Sequence, residues 1–218
     1  MTLSLHRRYR TFESADVVVA NVHERLVRMF ALVCEGLGAA SESLFTGDRN
    51  LARSVVTADL ELDSLQSEVE GYVEDYLASG YRHSPPAVRT LIAIARIAPE
   101  LERSGDLIEH IAVRTPQRLL DRVTPRARGL LSEMADTAHG SWVIAADAYS
   151  DGDGGVATAL RDRDDFLDDR HVEFTAELPN GSASIADAIE LGLLARFYER
   201  LGDHAYNVTR RIPALGST

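Results

Sequence analysis

The sequence predicts an all-α chain of about six helices, built as two related three-helix units. Three observations carry that prediction. Apolar residues recur at helical spacing over almost the whole length, strand-like alternation is absent, and the pentapeptide Glu-Arg-x-Gly-Asp is written twice, at 102–106 and at 199–203. The chain has 218 residues, 45% of them hydrophobic, so it can bury enough apolar surface to offset chain entropy.

Val22, Leu26, Met29, Val33, Leu37, Ala40 and Leu44 advance by threes and fours and define the first helix. Leu51, Val55, Ala58, Leu62, Leu65, Val69, Tyr72 and Tyr76 do the same for the second, which reads as the seam of a helix packed at a shallow angle in a bundle. That helix ends at Ser79-Gly80. Ser84-Pro85-Pro86 then supplies an N-cap and a first-turn proline for the third helix, which runs through Leu91, Ala95, Ala98, Leu101 and Leu107 toward Thr115-Pro116. Thr124-Pro125 opens the fourth by the same signature, carrying Leu131, Met134 and Trp142 until DGDGG (151–155) breaks it. The fifth holds Val156, Leu160, Leu167 and Phe174 and stops near Pro179-Asn180-Gly181-Ser182. The sixth extends from about Ser184 to Ile212, with Pro213 closing it. DGDGG is rich in aspartate but lacks the ordered ligand spacing and twelfth-position glutamate of an EF-hand, so it reads as a helix–helix turn.

The repeat is visible when 47-GDRNLARSVVTADLELD-63 is set beside 152-GDGGVATALRDRDDFLD-168. Asp59 and Asp63 fall opposite Asp164 and Asp168, and Glu102 and Asp106 opposite Glu199 and Asp203. The second half reaches its pentapeptide eight residues sooner, so the first half has a longer connection or about two extra helical turns. The units are drawn as 1–121 and 122–218.

Each half therefore holds two carboxylate pairs at i, i+4, which places both acids of a pair on one helix face. No basic residue one turn on relieves their repulsion. In three of the four pairs the first acid directly follows an apolar seam residue, Ala58, Leu101 or Tyr198; the fourth follows Arg163. The pairs thus line the edge of a packed face. Taken singly, an acid pair on a helix is usually a solvated surface; four at matched positions in a repeat point to a cation site. Gly105 and Gly202 add to this. Glycine inside a helix costs about 1 kcal/mol relative to alanine, and its recurrence marks a place where a neighbouring helix or a bound ion comes close to the backbone.

Composition excludes several classes. The net charge of −11 argues against nucleic acid as a partner, since phosphate neutralisation needs clustered cations. All 23 basic residues are arginine, which rules out a Walker A lysine, a Schiff base and a lysine nucleophile. A single cysteine, Cys34, permits no internal disulfide, and its apolar surroundings suggest a buried, unreactive thiol. No run approaches the eighteen or so apolar residues of a membrane span, and MTLSLHRRYRTFESAD lacks the apolar stretch of a signal peptide. A cytoplasmic protein is expected.

At these motifs the chain resembles the PhoU family of phosphate-transport and phosphate-signalling regulators, along nearly its whole length. The family pattern, D-x-x-x-D on the second helix of each unit and E-R-x-G-D on the third, reads here as Asp59-LEL-Asp63, Glu102-RSG-Asp106, Asp164-DFL-Asp168 and Glu199-RLG-Asp203. The stretch 199-ERLGDHAYNV-208 is very close to the pattern; ERSGDLIEHI is looser, with His110 where the second half has Asn207. SGYRHSPPAVRTL departs most: the family's proline-to-arginine stretch survives there as Pro86-AV-Arg89, shifted. The resemblance implies two three-helix bundles side by side and metal binding by Asp59, Asp63, Glu102, Asp106, Asp164, Asp168, Glu199 and Asp203. It also implies an adaptor, not an enzyme, that restrains phosphate-starvation genes by linking the phosphate ABC transporter, through its ATPase, to a membrane sensor histidine kinase.

Carboxylate ligation suits hard cations such as Mg²⁺, Mn²⁺ and Ca²⁺, with iron and Zn²⁺ as further candidates where imidazole helps. His110 and His204, beside the motifs, read as groups that support a ligand more than as ligands. Arg103 and Arg200 read as partners that hold ligating carboxylates in place. His139 and His171 fall near seam positions and read as core residues. Two other classes stay open: a helical module without metal, and a carboxylate-bridged di-iron oxidase. The oxidase would need paired Glu-x-x-His motifs, and the nearest match, His23-Glu24, has the wrong order. Long amphipathic helices are also compatible with a homodimer.

Overall fold

The computed structural model describes residues 15–79 and 84–212, and within them every regular element is helical. The reading of the first fourteen residues, the stop at Gly80 and the closing Pro213 lie outside those residues. The helices are α1 (Ala15–Thr46), α2 (Arg49–Ala78), α3 (Pro85–Ala112), α4 (Pro125–Asp151), α5 (Ala157–Glu177) and α6 (Ile185–Thr209).

Helix starts follow from side chains that satisfy the free backbone N–H groups of a first turn. The Asp48 carboxylate accepts from the N–H groups of Asn50 and Leu51, Ser84 from Ala87, and Thr124 from Ala127. Ser184 and Asp187 form a reciprocal capping box at the head of α6. The repeated Gly-Asp openings now have a local cause. Gly47 and Gly152 take left-handed backbone angles, φ 81° and 68°, and each is followed by an aspartate that accepts a backbone N–H, Asp48 from Asn50 and Asp153 from Gly155. Extra helix, more than a longer connection, accounts for the offset between halves: α2 has 30 residues against 21 in α5, and α3 has 28 against 25 in α6.

In each half the three helices pack on one another, and the halves meet where α1 packs on α4 and α3 on α6. That arrangement leaves α2 and α5 outermost, and their buried stripes are correspondingly narrow. On α5 only Leu160, Leu167 and Phe174 are buried. Of the expected α2 seam, Leu51, Ala58, Leu65 and Tyr72 are half-buried at its margins. The junction is a packed core. Phe30 of α1 lies against Trp142 and Tyr149 of α4, with ring centroids 6.2 and 4.9 Å apart. The Tyr198 hydroxyl is 3.1 Å from Ser41 Oγ.

The histidine and cysteine expectations need correction. His139, His171 and Cys34 are half-buried, because each sits at the rim of its helix's apolar face where the neighbouring helix covers one side only. Burial, with Asp147 and Glu35 nearby, still pushes the Cys34 thiol up to about 11. It is un-ionised at neutral pH and a poor nucleophile.

Candidate metal centre

The four carboxylate pairs come together two and two. Asp59 and Asp63 of α2 face Glu102 and Asp106 of α3, and all three of the others act on the charge of Asp59. Asp164 and Asp168 of α5 face Glu199 and Asp203 of α6 in the same way. Each cluster bridges an outer helix to an inner one.

The helices approach closely at both places, and the glycines make it possible. A Cβ on Gly105 would collide with Leu62 Cδ2 and stand 2.6 Å from Asp59 Oδ1. A Cβ on Gly202 would collide with Leu167 Cδ1 and stand 3.3 Å from Asp164 Oδ1. Leu62 and Leu167 are both buried and equivalent in the repeat, so neither can swing away freely. Of the alternatives the sequence left open, a neighbouring helix accounts for the glycines, and that helix brings its first aspartate with it. By contrast Gly71, Gly129 and Gly192 have nothing within 4 Å of an added Cβ. Alanine at any of those three is expected to raise stability by about 0.5–1 kcal/mol. At Gly105 or Gly202 the same change is expected to lower it by about 1–2 kcal/mol, overpacking outweighing helix propensity. Thermal melts of the five variants decide this: a higher melting temperature for Gly105→Ala would refute the close approach.

Electrostatically both clusters are under stress. Burial raises Asp59 to about 6, with Asp63, Glu109, Asp106 and Glu102 adding repulsion. Burial and the charges of Asp203, Asp168 and Asp165 raise Asp164 to about 6. Glu199 is the most deeply placed, 5% exposed, and goes to about 7; burial is the main cause, Arg196 opposes it, and Asp203 and Asp168 add to it. Glu102 is raised as well, by burial and then by Asp106 and Asp63. One Glu199 oxygen takes Arg196, while its Oε2 is buried without a donor. Asp168 is close enough to share a proton with Glu199, which is possible only when one of the two is protonated. Asp63, Asp106 and Asp168 are exposed, so each cluster opens to solvent on one side.

The stress has a consequence for stability. These carboxyls ionise later in the folded chain than in the unfolded one, where Asp titrates near 3.8. Their contribution to stability is therefore complete at low pH and is lost as pH rises through about 6 to 7. Glu61, Glu177 and Asp187, held below their usual range by hydrogen bonds, matter only in more acidic solution. The melting temperature of metal-free protein is expected to fall between pH 5 and pH 7.5. His171 and His204, lowered by burial, act in the opposite direction up to about 6.5. The deciding comparison is therefore the Asp59→Asn/Asp164→Asn/Glu199→Gln protein, whose melting temperature should fall less; an identical profile would show that the clusters are not strained.

The partners differ from those expected. Arg103 and Arg200 are exposed and make no ion pair among the described residues. Arg196, one turn ahead of Glu199, holds the glutamate instead, because i, i+3 on α6 shares a face and i, i+1 does not. Glu109 and Asp165 add charge that the motifs alone did not mark. His204 is buried in the junction: Ser104 gives its proton to the Glu100 carbonyl, so His204 Nδ1 donates to Ser104 Oγ at 3.0 Å. Its Nε2 lies 4.0 Å from Glu100, which Arg211 holds at 3.1 Å. Burial lowers His204, and it serves the α3–α6 contact. His110 is exposed and lies against the Phe197 ring.

The donor set suits a hard cation. It is all oxygen, its members repel one another, and a buried Glu199 oxygen has no donor. As the side chains stand, no three His, Cys, Asp or Glu among the described residues converge closely enough to hold an ion. His23 is exposed and bonds Tyr149 OH at 3.0 Å.

The sequence model described as "PhoU domain" matches residues 26–115 and 131–212, one match in each half. The phosphate-specific transport system accessory protein PhoU homolog 2 of Mycobacterium tuberculosis is 27% identical over 199 residues, covering 89% of this chain and 92% of that protein. PhoU homolog 1 of Thermotoga maritima is 29% identical, over 85% of this chain and 81% of its own length. Among solved structures, PhoU from Pseudomonas aeruginosa superposes with a TM-score of 0.81 at 22% identity over 93% of this chain and 98% of that one. The phosphate transport system regulatory protein PhoU from Streptococcus pneumoniae gives 0.81 at 19% identity, over 94% and 97%. The structural likenesses establish the fold; the two domain matches, one on each carboxylate-bearing half, establish kinship: the chain belongs to the PhoU family.

Proposed function

We propose that this protein is a cytoplasmic, metal-binding adaptor that restrains phosphate uptake and the phosphate-starvation response by contact with the phosphate ABC transporter ATPase and a membrane sensor histidine kinase. The observation that carries the reading is the pair of matched carboxylate clusters on a PhoU-family chain whose relatives are named as accessory proteins of phosphate-specific transport. No helix among the described residues is long and apolar enough to cross a membrane, which agrees with action by docking.

Asp59, Asp63, Glu102 and Asp106 would hold ions in the first half, and Asp164, Asp168, Glu199 and Asp203 in the second. A bound divalent or iron cation would cancel the repulsion in each cluster. The protein's own part is to keep the carboxylates on two facing helices, at a glycine that lets those helices approach, with Arg196 orienting Glu199. Charge on the exposed side of each cluster, and with it the surface a partner meets, would then depend on cation occupancy. A metal-free helical module is the second reading, favoured by the open arrangement of the carboxylates; elemental analysis of purified protein separates the two.

Deleting the gene, together with any paralogue, is expected to switch on phosphate-scavenging genes or raise phosphate uptake in phosphate-rich medium. Pull-down of the protein is expected to recover the transporter ATPase or the kinase. Normal control of phosphate genes in the deletion strain under both conditions would end the regulatory reading.

A further inference from the structure

A second charged surface is unrelated to the carboxylates. Where the first half of α3 meets the end of α6, a groove of about 300 Å³ is lined by Arg89, Ile92, Ala93, Arg96, Arg210 and Arg211. Among the described residues four guanidinium groups and no carboxylate line it, in a chain of net charge −11. Positions 89, 92, 93 and 96 share one helical face, with Arg89 and Arg96 two turns apart, roughly 10 Å along the axis.

Two of the arginines have local duties. Arg210 and Arg211 follow the C-terminal end of α6, where a cation complements the helix dipole. Arg210 lies over the Tyr206 ring at 5.6 Å, and Arg211 donates to Glu100 at 3.1 Å and to the Asn207 carbonyl at 3.1 Å. Arg89 and Arg96 have none. Both are exposed, neither makes an ion pair or side-chain hydrogen bond among the described residues, and Arg89 sits in the half of α3 where the dipole gives a cation nothing. Glu100, one turn beyond Arg96, is already taken by Arg211. Like charges thus gather around an apolar floor of Ile92 and Ala93. The one carboxylate bonded to any of the four, Glu100, serves Arg211 and leaves Arg89 and Arg96 unpaired among the described residues.

We propose that this groove binds a polyanion of linked phosphate groups, of triphosphate size. Guanidinium forks present paired donors that match phosphate oxygens. The two-turn separation of Arg89 and Arg96, with Arg210 and Arg211 facing them, exceeds the reach of a single phosphate and fits a short chain of them. Inorganic polyphosphate and a nucleoside triphosphate offer the same chemistry. The site is independent of the metal reading.

The test is calorimetry on the full chain, stripped of divalent cations so that the carboxylate clusters cannot bridge phosphate through a metal. Inorganic tripolyphosphate, ATP, orthophosphate and an oligoglutamate peptide are titrated separately at low salt. Tripolyphosphate is expected to bind at one site, at least roughly tenfold more tightly than orthophosphate, and Arg89→Ala/Arg96→Ala to weaken it roughly tenfold or more without changing the melting temperature. Arg161→Ala, on the exposed side of α5, should leave tripolyphosphate binding unchanged. ATP binding equal to tripolyphosphate supports recognition of the phosphates alone, and tighter ATP binding supports a nucleotide. The proposal fails if tripolyphosphate gives no binding at millimolar concentration, if the double variant binds as well as the parent, or if oligoglutamate binds as tightly, which would make the groove a dock for an acidic protein segment.

Discussion

Trp142→Ala is expected to destabilise the protein by about 3–5 kcal/mol, the usual cost of removing a large buried aromatic side chain and leaving its cavity. Trp142 is fully buried in α4 and packs across the junction onto Phe30 of α1. The loss therefore falls on the contact that unites the two halves. Melting should become less cooperative as well as lower, since each half keeps its own three-helix packing. Trp142→Phe is expected to cost much less, roughly 1 kcal/mol, because the indole N–H is buried without a partner and removing it recovers part of the lost packing. Denaturant melts followed by circular dichroism measure both. A small effect of the alanine variant would mean that the halves do not depend on each other.

Neutralising the second carboxylate cluster should separate metal binding from stability. Glu199→Ala/Asp203→Ala is expected to remove that cluster's share of bound metal while helicity stays intact, as elemental analysis and circular dichroism would show. The milder Glu199→Gln is expected to bind metal poorly and yet to be more stable than the parent when both are metal-free above pH 7. The reason is that the raised Glu199 value already includes the favourable effect of Arg196. Burial and repulsion by Asp203 and Asp168 outweigh an exposed-arginine ion pair that is worth under about 1 kcal/mol. A glutamine keeps the shape and drops the charge. If the metal-free Glu199→Gln protein is less stable, the cluster is a structural network and not a strained cation site.

Much of this was legible in the sequence because it depends on local rules. Ser84, Thr124 and Ser184 mark helix starts by chemistry that acts within one turn. The matched Gly-Asp openings and the doubled Glu-Arg-x-Gly-Asp exposed the repeat, and i, i+4 spacing placed each acid pair on one face. What escaped was set by neighbouring helices. Glu199 is buried because α5 packs over it, and that burial is what makes its i, i+3 partner Arg196 matter while Arg200, next in sequence, stays on the exposed side. His204 was drawn into the α3–α6 junction by Ser104, which no motif marks. Periodicity told that His139, His171 and Cys34 lie near a seam, but not how far the facing helix extends over them. The groove between Arg89 and Arg211 joins residues more than a hundred positions apart, and only the packing of α3 on α6 reveals it.

The most direct test of the central claim is a calorimetric titration of metal-free protein with Mn²⁺ and Mg²⁺ at pH 7.5 and at pH 5. Saturable binding is expected at pH 7.5, weakened sharply at pH 5 as Asp59 and Asp164, near 6, and Glu199, near 7, become protonated and can no longer ligate. Absence of binding at pH 7.5, or unchanged binding after all eight carboxylates are replaced by their amides, would contradict the assignment of these clusters as cation sites.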